Sequence, residues 1–222
     1  MKFKVEKVEF HIGKVNLVGD LYFPEDPHNL GAVILHPHPV YGGDRHNNVT
    51  TGIAEGLADS GFPALTFDFR GAGESSGIHT GGADEVADVQ AALALLESRA
   101  PKLDRTALVG YSFGAYVASL AIESMAVESE PAGTNTCSPW AVVCVAPPVS
   151  MFDMRGLQGF LGPMLLLAGD MDQFGPLEDV TMLAEYAGAE LQRIQGGDHF
   201  LRGREPDIAR RIVDFLDRSA GL

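Results

Sequence analysis

The stretch Ala107-Leu108-Val109-Gly110-Tyr111-Ser112-Phe113-Gly114 decides how this chain is expected to fold. Its first three residues are apolar and predict a strand, and the last five form the pattern G-x-S-x-G where that strand meets a helix. In such an elbow the serine occupies a sharp, strained turn, and the flanking glycines let strand and helix approach each other. The N-terminus of the following helix, predicted over 113–125, favours negative charge beside the serine. Ser112 is therefore the candidate nucleophile.

The composition indicates a single domain, residues 1–222, with a substantial core. The chain has 30 acidic residues against 16 Lys and Arg, a formal net charge of −14. Phosphate groups would be repelled, so neither nucleic acid nor an anionic membrane is expected as a partner. No signal peptide and no run of membrane-spanning length is visible, so a cytoplasmic location is expected by default. The composition leaves the oligomeric state open.

The periodicity of apolar residues predicts an α/β fold. Two alternating segments, 3–12 and 15–23, predict an N-terminal β-hairpin. After it, short apolar strands alternate with amphipathic helices, which predicts a mostly parallel sheet covered on both faces. The predicted strands are 32–35, 63–69, 106–111, 141–146, 164–168 and 190–194. The predicted helices are 48–60, 83–99, 113–125, 176–187 and 206–219.

The polar stretch 127–139 is predicted to be a surface loop, because the residues after it complete the same alternation of strands and helices. It contains Cys137, one of two cysteines. The other, Cys144, lies in a strand-like run and is predicted to be a buried thiol. Without secretion signals a disulfide between them is not expected.

A nucleophilic serine needs a base within hydrogen-bond reach, and the base needs a carboxylate to fix its tautomer. Functional groups of a parallel sheet gather at the carboxyl ends of the strands. His199 follows a late strand, and Asp172 follows the strand before it, which gives the order serine, acid, histidine. Asp170 on the same loop is expected to shape the turn, and Asp198 is adjacent to the histidine, where side chains rarely point together.

The remaining histidines are assigned no catalytic role. His11 and His28 lie in the N-terminal region, and His46 and His79 lie in loops and are expected to be solvated. His36 and His38 could be considered metal ligands, with Asp44 or His46 as a further ligand. Alternate residues of an extended segment face opposite ways, however, and no Cys or HExxH-type spacing accompanies them. No metal site is therefore expected.

Two backbone N–H groups are expected to form an oxyanion hole. One belongs to Phe113, the residue after the serine. The other should come from the loop that begins His36-Pro37-His38-Pro39, where proline has no N–H to donate. His38, between two prolines that stiffen it, is the better placed of the two possible donors.

Four segments together resemble the α/β-hydrolase superfamily, and the resemblance covers nearly the whole chain. They are His36-Pro37-His38-Pro39-Val40-Tyr41-Gly42-Gly43, Asp68-Phe69-Arg70-Gly71-Ala72-Gly73-Glu74-Ser75, Gly110-Tyr111-Ser112-Phe113-Gly114 and Gly197-Asp198-His199-Phe200. The HPHP loop with G-x-S-F-G looks like a small, lidless bacterial subgroup, distantly similar to dienelactone hydrolases and prolyl-oligopeptidase catalytic domains. The superfamily commonly carries its acid as G-x-x-D, which Gly169-Asp170-Met171-Asp172 matches. Dienelactone hydrolases have a cysteine where this chain has Ser112, and many members have HG where it has His36-Pro37.

The resemblance also implies the shape of the site. Cap domains usually enter between the strands predicted at 141–146 and 164–168, and the 17 residues from Pro147 to Pro163 are too few for a helical lid. An open, shallow site is implied. Candidate wall residues are aromatic: Tyr41, Phe113, Phe152, Phe174 and Phe200. Arg70 is expected to pin its own loop.

These residues predict a serine hydrolase that cleaves small or short-chain carboxylic esters through an acyl-enzyme, with no cofactor and a small-molecule ester as its partner. The same residues would also serve thioester or small-amide hydrolysis. A non-catalytic binding module on the same fold is the alternative of another class.

Overall fold

The computed structural model describes residues 2–128 and 138–221, which contain eight strands and five α-helices. The strands are β1 (Phe3–Ile12), β2 (Val15–Pro24), β3 (Leu30–Leu35), β4 (Ala64–Phe67), β5 (Arg105–Tyr111), β6 (Ala141–Val145), β7 (Met164–Gly169) and β8 (Glu190–Ile194). The helices are α1 (Asn48–Asp59), α2 (Glu85–Arg99), α3 (Phe113–Glu128), α4 (Leu177–Ala187) and α5 (Glu205–Ala220). Every predicted strand and helix is present. In the described part of the chain no helix is both long and apolar enough to cross a membrane.

All eight strands form one sheet in the order β1-β2-β4-β3-β5-β6-β7-β8. The hairpin β1–β2 and the β2–β4 pair are antiparallel, and the pairs from β4 through β8 are parallel. The chain leaves β3 toward β4 on one side and later returns to β5 on the other. Ligands of such sheets bind at this switch point, outside the carboxyl ends of the strands. Leu35 of β3 pairs with Gly110 of β5, so the loop after β3 and the serine elbow are neighbours.

The core lies on both faces of the sheet. One face packs against α1 and α5, with Ile34 and Val109 contributed by the central strands. The other packs against α2, α3 and α4, with Val33 and Leu108 contributed by the same strands. Burial on both faces explains why these strands read as continuous apolar runs. Cys144 is a buried free thiol, as predicted, whereas Cys137 lies outside the described residues.

Several element boundaries differ by one to three residues from those predicted, among them the ends of β4 and α3. β4 ends at Phe67, because a ring nitrogen of His36 rather than a strand carbonyl accepts the backbone N–H of Phe69. α3 continues to Glu128, two residues into the stretch predicted as a loop. The rest of that loop prediction, residues 129–137, lies outside the described residues.

A buried ionic network fixes the loop between β3 and α1 to the end of β4. The backbone N–H of Arg45 donates to Asp68 Oδ1 at 2.8 Å, and its guanidinium donates to the other oxygen of Asp68. The guanidinium also donates to Asp20 of β2 at 2.9 Å. The side chains of Arg45 and Asp68 are 3% and 0% exposed, so this pair is shielded from water. The loop that carries His38 is therefore held near its C-terminal end, at Arg45.

Candidate active site

The turn between β5 and α3 has the strain expected of an elbow. Ser112 has a φ of 53°, in the left-handed region that is costly for a residue with a Cβ. Its backbone N–H donates to the carbonyl of Val145 on the adjacent strand at 2.9 Å, which helps to hold that conformation. A Cβ at Gly110 would run into the carbonyl of Gly114, and a Cβ at Gly114 into that of Leu35. Both glycines of the motif are therefore required by close backbone approach.

The structure brings Ser112, His199 and Asp172 together in one chain of hydrogen bonds. Ser112 Oγ lies 2.8 Å from His199 Nε2. His199 Nδ1 lies 2.8 Å from Asp172 Oδ2. Because a carboxylate can only accept, Nδ1 carries the ring proton of a neutral His199 and Nε2 is left to accept from the serine hydroxyl. All three side chains are nearly buried.

The carboxylate of Asp172 is itself fixed from the other side. Its Oδ1 accepts the backbone N–H groups of Phe174 at 2.8 Å and Gly175 at 3.0 Å. The two oxygens thus have separate partners, and the carboxylate cannot rotate without losing them.

The two other candidate acids have structural partners. Asp170 Oδ1 accepts the backbone N–H of Gly196 at 2.7 Å, and its Oδ2 pairs with Arg193. Asp198 Oδ1 accepts the N–H groups of Phe200 and Leu201, at 3.1 and 3.0 Å. Both shape the loops that carry Asp172 and His199, and neither is hydrogen-bonded to the histidine ring.

His38 lies in a tight turn beside the elbow. It precedes a 3-10 turn at Pro39–Tyr41, and its Nδ1 accepts the backbone N–H of Val40 at 3.2 Å. Its carbonyl accepts from Tyr41 and Gly43, both at 3.1 Å. Burial and the charge of nearby His79 lower the pKa of His38, which keeps its ring neutral and able to accept.

His36, by contrast, is wholly buried and supports the loop. Its Nδ1 donates to the carbonyl of Pro37 at 2.6 Å, and its Nε2 accepts the backbone N–H of Phe69 at 3.0 Å. Burial lowers the pKa of His36 to about 4, so the ring is neutral near pH 7. With both nitrogens engaged, the ring joins the ends of β3 and β4 and has no lone pair for a metal.

His79 corrects the sequence prediction of a solvated loop histidine. Its side chain is only 16% exposed, and its Nδ1 lies 2.7 Å from Glu85 Oε1. The 70–84 loop folds back on itself, which brings the backbone of His79 against Gly71 and its ring against Phe113. Arg70 pins this loop as predicted, because its guanidinium binds the buried carboxylate of Asp88 at 2.7 Å.

An open cleft of about 390 Å³ lies above Ser112. It is lined by Pro37, His38, Tyr41, Gly42, Gly43, Asn47, Tyr111, Ser112, Phe113, Pro148, Met151, Phe152, Phe174, His199 and Phe200. All five aromatic residues predicted for the wall are among them. The sequence analysis did not assign Asn47, Tyr111, Pro148 and Met151 to the wall. Tyr111 ends strand β5, and the other three lie in loops. Within the described residues, no Asp, Glu, Lys or Arg side chain lines the cleft.

The segment 147–163 leaves this cleft uncovered. Its only helical element is a short 3-10 turn at Arg155–Gly159. No cap domain is therefore present in the described part of the chain.

A mostly parallel sheet, a strained serine elbow, and an acid and a histidine after late strands define an α/β hydrolase. Residues 32–157 match the family described as Serine aminopeptidase, S33, and the chain belongs to that family of hydrolases.

Three proteins similar to this chain include two solved structures of serine hydrolases. An uncharacterized protein of Rickettsia prowazekii is 30% identical over 195 residues, which are 83% of this chain and 77% of that protein. The structure of an alpha-beta serine hydrolase homologue from Coxiella burnetii is 28% identical, with a TM-score of 0.81 over 95% of this chain and 97% of that one. A serine hydrolase without a lid from Xanthomonas campestris is 26% identical, with a TM-score of 0.77 over 98% and 94% of the two chains.

Proposed function

We propose that this protein hydrolyses uncharged carboxylic esters through an acyl-enzyme formed on Ser112. The observation that carries the proposal is the hydrogen-bonded chain from Ser112 through His199 to Asp172 at the base of an open cleft. A hydroxyl is a weak nucleophile, and a base at 2.8 Å is placed to remove its proton as it attacks.

In the first half-reaction Ser112 Oγ bonds to the ester carbonyl carbon while its proton passes to His199 Nε2. The carbonyl oxygen becomes an oxyanion, which the backbone N–H groups of Phe113 and His38 would bind. Neither of these N–H groups donates to another residue within the described part of the chain. The carbon–oxygen bond to the alcohol then breaks, and His199 returns its proton to the leaving alcohol. Asp172 stabilises the imidazolium in between.

In the second half-reaction a water molecule replaces the alcohol. His199 takes one proton from the water as its oxygen bonds to the acyl carbon. The bond from that carbon to Ser112 Oγ then breaks, and His199 returns the proton to the serine. The products are one alcohol and one carboxylic acid.

The lining of the cleft favours an ester over a peptide with a free N-terminus. An aminopeptidase must bind the α-ammonium group of its substrate, and a buried or partly buried charge requires a partner of opposite sign. No carboxylate lines the described cleft, and both oxygens of Asp172 have partners. The many aromatic and apolar wall residues suit an uncharged substrate instead.

The same observation argues against a thioester of a phosphorylated carrier, since no Lys or Arg of the described residues lines the cleft. Thioesters and small amides without charge would follow the same steps. Comparison of kcat/KM on matched ester, thioester and amide substrates separates these activities.

The direct test is Ser112→Ala, assayed with a short-chain p-nitrophenyl ester. We expect the activity to fall by at least about a thousandfold, because the nucleophile is lost. Ser119→Ala is the matched control, since Ser119 is a buried serine of α3 whose hydroxyl has no hydrogen-bond partner. Full activity in Ser112→Ala would overturn the proposal. A fluorophosphonate probe that fails to label the folded wild-type protein would favour the binding-module alternative.

A further inference from the structure

Three aromatic rings pack together beside the proposed oxyanion hole. The ring of His38 lies 4.7 Å from that of Phe113, measured between centroids. The ring of His79 lies 5.0 Å from His38 and 5.3 Å from Phe113. Two of these rings therefore belong to the residues whose backbone N–H groups are proposed to bind the oxyanion. The third, His79, contacts both.

A fully buried carboxylate lies beside His79, but it is not aligned for a hydrogen bond to the ring Nδ1. The ring Nδ1 lies 2.7 Å from Oε1 of Glu85, in the first turn of α2. Glu85 also accepts the N–H of Thr80 at 2.8 Å, the hydroxyl of Thr80 at 2.7 Å and the N–H of Gly82 at 2.8 Å. Burial by itself raises the pKa of Glu85, but these hydrogen bonds outweigh it and lower the pKa, so the side chain stays ionised.

We propose that His79 is a positioning residue that sets the relative placement of the His38 and Phe113 backbone N–H groups. This inference rests on the proposed function. The observation that carries it is the packing of the His79 ring against the side chains of His38 and Phe113, the two residues that would supply the oxyanion donors.

The two donors differ in how firmly the backbone holds them. Phe113 opens a 16-residue helix, and its side chain is only 1% exposed. His38 sits in a short turn between two prolines, and one of its ring neighbours, Tyr41, is 79% exposed. Loss of the His79 ring would therefore release His38 more than Phe113. A misplacement of about 1 Å in an active site costs on the order of 100-fold in rate.

A loop histidine that merely fills space beside Glu85 would affect folding, but not the rate of the chemical step in the folded enzyme. An oxyanion donor acts in the transition state, so its misplacement lowers kcat and leaves KM nearly unchanged. Comparing the change in kcat with the change in KM therefore distinguishes a positioning role of His79 from a purely structural one.

The experiment compares His79→Phe with His79→Gln on a short-chain p-nitrophenyl ester. Phenylalanine keeps an aromatic ring and loses the polar group beside Glu85, whereas glutamine keeps a polar group there and loses the ring. We expect glutamine to lower kcat by about 10- to 100-fold at nearly constant KM, and phenylalanine to restore most of it. His46→Gln is the control, because His46 is a loop histidine with a 60% exposed side chain near Asp20.

Equal kcat in His79→Gln and wild type would overturn the inference, as would a loss confined to KM. If His79→Gln unfolds at a lower urea concentration than wild type, the kinetics of the two proteins are compared at a temperature where circular dichroism shows both to be folded. Wild-type protein that hydrolyses no ester would instead refute the proposed function, so the two failures are distinguishable.

Discussion

The hydroxyl of Tyr111 donates to the backbone carbonyl of His199 at 3.0 Å. Tyr111, the residue before Ser112, therefore holds the loop that carries His199. This hydrogen bond connects the elbow to that loop in addition to the contact between Ser112 and His199. Tyr111 is 3% exposed, and burial, with the negative charge of Asp172, raises its pKa. The hydroxyl therefore stays protonated and able to donate near neutral pH.

Tyr111→Phe should weaken both the fold and the reaction. It removes the hydroxyl and leaves a buried carbonyl without this donor, which costs about 1–2 kcal/mol of unfolding free energy. We expect kcat to fall by a few fold, because the His199 loop gains freedom. Urea unfolding and steady-state kinetics measure the two effects. Tyr186→Phe should change neither, since that hydroxyl bonds Gln158 at an exposed position.

Asp172→Asn should nearly abolish the proposed activity with little change in the loop. The amide oxygen can still accept from Phe174 and Gly175. The amide nitrogen, however, cannot accept from His199 Nδ1, so the histidine loses the tautomer that a base requires. We expect kcat to fall by on the order of 10⁴-fold. Asp170→Asn, two residues earlier on the same loop, should stay within a few fold of wild type. A small effect of Asp172→Asn would argue that another carboxylate orients His199.

His36 should make stability depend on pH. Its pKa is about 4 in the folded protein because the ring is buried, against an ordinary value near 6.5. Between these values the unfolded chain binds a proton that the folded chain does not. As pH falls from 6.5 toward 4, the free energy of unfolding therefore decreases, by up to about 3 kcal/mol; above pH 6.5 this effect of His36 is absent. The measurement is urea unfolding from pH 4 to 8 for wild type and His36→Gln. A difference between them that stays constant across this range would contradict the assignment.

Arg45→Met should destabilise the protein strongly. The substitution leaves the carboxylate of Asp68 buried without its ion pair, and such a loss costs about 3–5 kcal/mol. Arg210→Met is a matched control, because Arg210 likewise pairs with more than one carboxylate, Asp207 and Asp214, but its side chain is 61% exposed. That exposed network should contribute less than about 1 kcal/mol. Equal losses in the two variants, measured by urea unfolding, would contradict the importance of burial.

Much of the fold could be predicted because its signals are local. The strands are buried on both faces, so each appears as an apolar run, and the helices between them carry one apolar face. The signal for Ser112 is equally local, since the glycines at 110 and 114 are required by the turn itself. Asp172 and His199 are predictable because they follow β7 and β8, whose carboxyl ends lie on the same edge of the parallel sheet as that of β5.

The residues that sequence reasoning missed depend on long-range contacts. Arg45 is far along the chain from Asp20 and Asp68, and nothing in its immediate neighbours marks it as buried. His79 lies in a glycine-rich loop with the composition of a solvated segment. Its burial comes from the closure of that loop against Glu85 and the elbow. The charge and polarity of neighbouring residues therefore do not predict the burial of either Arg45 or His79.

The sequence by itself determined the alternation of strands and helices, the elbow at Ser112, and the order in which Asp172 and His199 follow it. Those features are determined by periodicity, steric demand and strand direction, which are properties of short segments. Only the tertiary structure decided the distances that join Ser112, His199 and Asp172, the full lining of the cleft, and the packing of His79 against both His38 and Phe113. Loops far apart in sequence meet at one edge of the sheet, and their side-chain geometry is set by packing there.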